Sequence, residues 1–260
     1  MTMGSEKTHR ATLEQNREPP ERARSPLLVA TIGLHGSAST WVFNVARELL
    51  ISHFGEASVL TYYADQIGQI PDDAARAGRH LIIKSHHGSP ALDDWLRKAG
   101  ARIVLSIRDP RDASISMAQR FKAPLLRATQ WLQNDCHRVM RVVQNSSLLL
   151  RYEERFFEKP ESVLRLTDAI GIEPKKEDIG PIFARYRTAA VREFAASLAS
   201  LPPERLTKVG PFAMDTVTQI LAPHIGDTRS EKWRELSQTT QRLTTAHFQS
   251  FIEAMGYPLD

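Results

Sequence analysis

The sequence contains a single cysteine, Cys136, among its 260 residues. One thiol cannot form an intrachain disulfide, and it supplies too little sulfur for a cysteine-based metal site. No apolar run approaches the roughly 20 residues that a membrane-spanning helix needs. The net charge is only +4, which gives little reason to expect a nucleic-acid partner. We therefore expect a cytoplasmic protein without an integral membrane segment.

The composition is that of a globular chain, with 42% hydrophobic and 25% charged residues. Residues 1–25 are polar and charged and have no apolar centre, so they do not resemble a signal peptide. We expect them to form a disordered N-terminal extension. Residues 26–260 are long enough to bury a full core and are predicted to form one domain.

Apolar runs typical of strands alternate with amphipathic segments typical of helices. The sequence predicts strands at residues 27–32, 57–63, 80–85, 101–107 and 147–152. Helices are expected from residue 41 onward and at 90–99, 110–120, 126–144 and 160–170, with a helical, loop-rich region from 175 to 260. This alternation indicates an α/β fold with a central parallel sheet covered by helices on both faces. Ligands of such sheets bind beyond the carboxyl ends of the strands.

The stretch 27–50 combines a buried strand, a turn of small residues and an amphipathic helix, with Ser39 or Thr40 as the expected cap. Such a turn directs backbone N–H groups towards a phosphate or sulfate group, and nearby hydroxyls would add donors. Plain packing produces the same pattern about as often. No lysine lies between residues 26 and 50. A Walker A loop requires one, so an ordinary ATPase or kinase is disfavoured.

Two further strands end in side chains that suit chemistry. Lys84 and His86 follow the strand at 80–85, where an imidazole could accept a proton and an ammonium could neutralise a developing charge. Arg108 follows the strand at 101–107 and precedes a helix that carries Ser116, an arrangement that suits a second anion. The alternatives are a histidine with only a structural role and a helix start capped by Asp109 with solvated charges after it.

These elements together resemble the sulfotransferase family that uses 3′-phosphoadenosine 5′-phosphosulfate (PAPS). The family's 5′-phosphosulfate loop, [KR]-S-G-[ST]-T-W, corresponds to Gly36-Ser37-Ala38-Ser39-Thr40-Trp41. Its K-[ST]-H strand end corresponds to Lys84-Ser85-His86. Its 3′-phosphate element, R-[ND]-P-[KR]-D-x-x-x-S, corresponds to Arg108 through Ser116. Tyr152 resembles the tyrosine that approaches the adenine, with Trp41 as its stacking partner. The resemblance covers about residues 27–171.

The resemblance implies an enzyme with a P-loop-like three-layer sandwich and PAPS as co-substrate. It implies transfer of the sulfuryl group to a hydroxyl or amine of a small-molecule, glycan or lipid acceptor, without a metal ion. His86 would be the general base and Lys84 would stabilise charge. The implied cofactor-binding residues are Gly36, Ser37, Ala38, Ser39, Thr40, Trp41, Arg108, Ser116, Tyr152 and Arg229.

Several positions depart from the family pattern. Gly36 replaces the basic loop residue, whose charge could come instead from His35, Lys84 or Arg229. The family's R-K-G…W segment is present only as residues 224–226 followed by Trp233. Arg229 and Lys232 lie near it as candidate 3′-phosphate ligands, although Arg229 could equally be a solvated loop charge. A catalytically impaired nucleotide-binding relative and a P-loop-like phosphotransferase therefore remain as alternatives.

Overall fold

The computed structural model describes residues 25–74, 78–223 and 225–260. The predicted N-terminal extension, residues 1–25, lies outside this part of the chain except for its last residue, and His224 lies outside it as well.

A five-stranded sheet with parallel pairing throughout forms the centre of the molecule. The spatial order is β2-β3-β1-β4-β5, which brings the ends of β3, β1 and β4 side by side. Its strands are β1 (Leu28–Gly33), β2 (Val59–Tyr63), β3 (His80–Ser85), β4 (Arg102–Ile107) and β5 (Leu148–Arg151). All five strands predicted from the sequence are confirmed, with bounds that differ by two residues at most.

Eight α-helices are present in the described part of the chain. They are α1 (Ser39–Phe54), α2 (Pro90–Lys98), α3 (Pro110–Phe121), α4 (Leu125–Val142), α5 (Glu161–Ile170), α6 (Lys176–Tyr186), α7 (Thr188–Ser197) and α8 (Gln238–Met255). None of the described helices combines the length and the apolar character needed to cross a bilayer.

Helices cover both faces of the sheet. On β1, Ala30 and Ile32 face a core formed with α2, α3, α4 and α8. Val29, on the opposite face of the same strand, joins a core with α1, α5, α6 and α7. This alternation follows from the period of two in a strand. The predicted three-layer α/β fold is thereby confirmed.

The C-terminal region contains an antiparallel hairpin that the sequence analysis did not predict. Strands β6 (Leu206–Val209) and β7 (Phe212–Asp215) pair across the turn at Gly210 and Pro211. The sequence analysis expected only helices and loops between residues 175 and 260. Four-residue strands carry too little alternation to stand out from loop sequence.

Candidate active site

The turn between β1 and α1 has left-handed backbone at Gly36 and Ala38, with φ of 82° and 61°. Ala38 is the N-cap of α1 and supplies no side-chain hydrogen bond, so the predicted cap at Ser39 or Thr40 is wrong. The backbone N–H groups of Gly36, Ala38, Ser39 and Thr40 donate no hydrogen bond within the described part of the chain. Uncapped N–H groups at a helix start favour an anion there.

The hydroxyl of Ser37 points away from this helix start. It donates to the carbonyl of Leu34 at 2.7 Å and lies 2.9 Å from the hydroxyl of Ser106 on β4. Ser37 is fully buried and therefore ties the turn to the sheet. Ser39 and Thr40, in contrast, line the cavity described below.

Lys84, near the end of β3, connects that strand to the start of α1. Its ammonium donates to the hydroxyl of Thr40 at 2.7 Å, and the side chain is almost completely buried. Burial, together with the positive charge of Arg120, lowers the pKa of Lys84 to about 7. Its charge is therefore sensitive to any anion that binds beside it.

His86 follows β3 directly and is also buried. Its Nδ1 lies 2.5 Å from the carbonyl oxygen of Gly33. A carbonyl oxygen can only accept, so Nδ1 carries the proton and Nε2 keeps a free lone pair. Burial, reinforced by His35 and Lys84, lowers the pKa of His86 well below its usual value. The imidazole is therefore neutral, the form that a general base needs.

A second group of imidazoles lies beside His86. His35 stacks on His86 with ring centroids 3.8 Å apart, and its Nδ1 lies 2.8 Å from Oδ2 of Asp135 on α4. His87 approaches the other oxygen of Asp135, also at 2.8 Å. The sequence analysis named His35 but missed Asp135, which is 100 residues from His35 along the chain. Only its place in an amphipathic helix distinguishes it in the sequence.

The turn between β4 and α3 is built differently. Asp109 caps α3 by accepting from the backbone N–H of Arg111 at 2.9 Å and also pairs with the Arg111 guanidinium. Pro110 is the first helical residue, as predicted. Arg111 and Asp112 are fully buried rather than solvated. Asp112 accepts from the backbone N–H groups of Glu231 and Trp233, so it fastens the C-terminal region to α3.

Arg108 is buried at the end of β4 and donates to the hydroxyl of Ser116 at 3.1 Å and to two carbonyl oxygens, those of Gly36 and Arg229. Lys232 donates to the same Ser116 hydroxyl at 2.9 Å. Burial and the charge of Arg108 lower the pKa of Lys232. Two cations that converge on one neutral hydroxyl are an arrangement that suits a phosphate.

Arg229 contributes its backbone to this cluster and not its side chain. The guanidinium is 63% exposed and pairs with Asp227 and Glu235. Its assignment as a phosphate ligand stays a prediction, and the structure has its side chain outside the cavity.

One cavity of about 850 Å³ opens on all of these elements. Trp41 and Tyr152 both line it. Trp41 packs edge-on against Phe156, and Tyr152 lies tilted against Phe157 with the Arg108 guanidinium 3.9 Å from its ring centre. The predicted site residues among its lining are Gly36, Ala38, Ser39, Thr40, Trp41, Lys84, His86, Arg108, Ser116 and Tyr152. Ser37 and Arg229 are the two that do not line it.

The remaining wall of the cavity is largely apolar. It includes Tyr63, Phe121 and, from the β6–β7 hairpin, Phe212 and Met214. The ring of Phe212 lies 5.9 Å from that of Phe121, which joins the hairpin to the end of α3. Because the sequence analysis did not predict the hairpin, it gave no account of this part of the wall.

Comparison with known proteins is consistent with this geometry. No protein-family model and no curated protein matches the chain. Among solved structures, mouse sulfotransferase SULT7A1 complexed with PAP aligns with a TM-score of 0.57 and 13% identity, over 88% of this chain and 85% of that one. The fold is that of the sulfotransferases.

Two structures of retinol dehydratase give the same result. One holds retinol and PAP, and the other holds androsterone and PAP described as an inactive cofactor. Each aligns with a TM-score of 0.53 and 12% identity, over 88% of this chain and 82% of that one. At such identities the likeness establishes the sulfotransferase fold, and the chemistry has to be argued from this chain's own residues.

His35, His86 and Asp135 carry ligand atoms that all lie within 4.8 Å of one another and so could hold a metal ion. Nδ1 of His86 is already bonded to Gly33, and Asp135 is already bonded to His35. These contacts account for the cluster without a metal. That the reaction needs no metal stays a prediction.

Proposed function

We propose that this protein is a sulfotransferase that moves the sulfuryl group of PAPS to a hydroxyl or amine of a small-molecule acceptor. The observation that carries the proposal is that three features meet at one cavity: the uncapped start of α1, the Arg108–Ser116–Lys232 cluster and the free Nε2 of His86. The proposal keeps the predicted cytoplasmic location.

The cofactor has a complementary place for each of its charged groups. The 5′-phosphosulfate would accept from the N–H groups of the turn at 36–40, with Lys84 beside it. The 3′-phosphate would lie on Arg108, Ser116 and Lys232, while Arg229 holds Arg108 through its backbone carbonyl. The adenine would contact Trp41 and Tyr152. PAP in the neighbouring sulfotransferase-fold structures supports this class of ligand.

His86 would remove the proton from the acceptor while the acceptor attacks sulfur in line. The bond between sulfur and the bridging oxygen breaks, and adenosine 3′,5′-bisphosphate (PAP) leaves. The protein contributes mainly by positioning the reactants and stabilising the charge that develops, as in phosphoryl transfer. The neutral form of His86, with Nδ1 bonded to Gly33, supports its role as the base.

The acceptor that fits best is a small, largely apolar molecule. The lining outside the proposed cofactor contacts includes aromatic and aliphatic side chains, with Phe121, Phe212 and Met214 among them, together with polar groups such as Gln119 and Gln219. Retinol and androsterone, the molecules named in the retinol dehydratase structures, are of the proposed class.

Calorimetric titration with PAP, ATP and AMP tests the cofactor. We expect micromolar affinity for PAP that depends on the 3′-phosphate. Tighter binding of ATP would instead support a phosphotransferase. Binding of PAP without turnover of PAPS on a panel of apolar alcohols and phenols would support the catalytically impaired alternative, for which the missing side chain at Gly36 is the evidence.

A His86→Ala variant tests the mechanism. Removal of a general base lowers turnover by about 100- to 10,000-fold, while the affinity for PAP should stay unchanged because His86 is outside the proposed phosphate contacts. Unaltered kcat in this variant would exclude His86 as the base.

A further inference from the structure

The turn after β1 lacks a cation of its own at Gly36. A Cβ there would meet only Ala113, at 3.7 Å, but φ is 82°. The backbone conformation, and not a shortage of space, is what disfavours a side chain. In the proposed reaction the bridging oxygen gains negative charge as its bond to sulfur breaks, so a donor is needed close to this turn.

His35 is the residue immediately before Gly36, and it lines the cavity. A single atom, Oδ2 of Asp135, holds His35 at two points. It lies 2.8 Å from Nδ1 of the ring and 2.8 Å from the backbone nitrogen. These contacts fix the ring in one orientation. Nε2, on the other side of the ring, is the nitrogen left for the cavity.

Asp135 is a buried carboxylate whose two oxygens lie against the imidazoles of His35 and His87. Burial alone would raise the pKa of Asp135, but the charge of His35 and hydrogen bonds from His35 and His87 hold it well below its usual range. A buried carboxylate of this kind stabilises the imidazolium form of an imidazole that touches it. The contact with Asp135 raises the pKa of His87.

We propose that His35, oriented by Asp135, is a further catalytic residue, whose Nε2–H donates a hydrogen bond to the oxygen that bridges sulfur and the 5′-phosphate. This inference rests on the proposed function. As the bond from that oxygen to sulfur breaks, its electron pair stays on the oxygen. Sulfur bonds to the acceptor oxygen, and the acceptor's proton goes to Nε2 of His86. The proton of His35 stays on His35.

The two imidazoles would therefore have opposite tasks although their rings are stacked. His86 is bonded to a neutral carbonyl and serves as the proton acceptor. His35 is bonded to a carboxylate and serves as the donor. Arg229, another candidate for the missing charge, has an exposed side chain paired with Asp227 and Glu235. Lys84 is engaged with Thr40 and acts beside His35 at the helix start.

A His35→Asn variant tests this inference, because the amide can still donate to Asp135 while Nε2 is lost. His87→Asn is the matched control: His87 contacts the other oxygen of Asp135 and does not line the cavity. The measurements are kcat and the KM for PAPS with an apolar phenol that the wild type uses. We expect His35→Asn to lower kcat about 100- to 1,000-fold with an unchanged KM for PAPS, because the bridging oxygen gains its charge only as the bond to sulfur breaks, and His87→Asn to stay within about threefold.

A His35→Ala variant assayed with added imidazole gives a second measurement, in which imidazole should restore part of the lost turnover. Wild-type kcat in His35→Asn would overturn the role of His35 and leave the proposed function intact. A KM for PAPS that rises in step with the loss of kcat, without rescue by imidazole, would reduce His35 to a structural residue. A wild-type enzyme that transfers nothing from PAPS would overturn the proposed function itself.

Discussion

The turns after β1 and β4 occupy equivalent positions in the fold, but they are built from different kinds of residues. Each leaves a central strand of the sheet and leads into a helix beside the same cavity. The first has small residues, left-handed backbone and an uncapped helix start. The second has a buried arginine and a helix start whose N–H group is occupied by the carboxylate of Asp109.

The difference follows from how a helix start can bind an anion. A side-chain cap occupies the same N–H groups that a phosphate would use. α1 lacks a cap and can therefore bind through its backbone. α3 is capped by Asp109 and can bind only through side chains, which Arg108 and Ser116 supply. The first turn has no lysine or arginine of its own, and the cation that reaches its helix start is Lys84 on β3, through Thr40.

Among the changes that test this comparison of the two turns, loss of the Arg108 charge is expected to have the largest effect on PAP affinity. Arg108→Gln keeps a donor for the carbonyl oxygens but removes a charge-assisted hydrogen bond, worth about 1.5–3 kcal/mol. We expect PAP affinity to fall roughly 10- to 150-fold, with little change for AMP, which has no 3′-phosphate. Arg229→Gln, with its exposed side chain, is the control and should stay close to wild type. Equal losses of affinity for PAP and for AMP would contradict the proposal that Arg108, after β4, binds the 3′-phosphate while the turn after β1 binds the 5′ end.

Loss of the Lys84 charge should remove a pH dependence of the affinity for PAP. Its pKa of about 7 lies below the ordinary 10.5, so in the free protein the ammonium loses its proton as pH rises through 7. A phosphosulfate or phosphate favours the charged form, so binding takes up a proton above pH 7. We expect PAP affinity to fall roughly tenfold between pH 7 and 8.5. Calorimetry in two buffers of different ionisation enthalpy measures the protons taken up when PAP binds. Proton uptake should be reduced in Lys84→Met and equal to that of the wild type in Lys98→Met, a surface control.

The smallest expected effect is a gain in stability. Ala38 has φ of 61°, which costs an L-residue roughly 1–2 kcal/mol, whereas glycine adopts it freely. The larger entropy of glycine in the unfolded chain offsets part of this gain. Ala38→Gly should therefore stabilise the protein by about 0.5–1 kcal/mol, measured by denaturant unfolding. Ala99→Gly, at φ of −79°, should be neutral or destabilising. A stabilisation shared by both variants would show that backbone strain in the first turn is not the cause.

Local patterns predicted the parts of the fold that local physics determines. The buried strands were identified by apolar runs, and the start of α3 by Asp109 followed by Pro110, because propensity and capping depend on adjacent residues. The Ser39 or Thr40 cap was predicted wrongly because φ at Ala38 depends on how the turn packs on Ser106 and α3. The single domain at 26–260 and the individual site residues stay predictions.

The parts that sequence reasoning missed join distant segments. Asp135 reaches His35 across 100 residues, and Asp112 reaches Trp233 across 121. Whether Lys232 or Arg229 joins the proposed 3′-phosphate site depends on which of the two side chains points inward. Their neighbours in sequence do not determine this. The wall formed by Phe212 and Met214 required the hairpin to be known.

The bond from Asn44 on α1 to the carbonyl of Thr218 spans 174 residues, and that from Arg108 to Arg229 spans 121. Contacts of such high sequence separation form late, since the closure of long loops has to come first. During translation the central sheet can assemble before the ribosome has synthesised the C-terminal residues that complete the cavity. We therefore expect bound nucleotide to slow unfolding much more than it speeds folding, so that the cofactor acts on the lifetime of the native state.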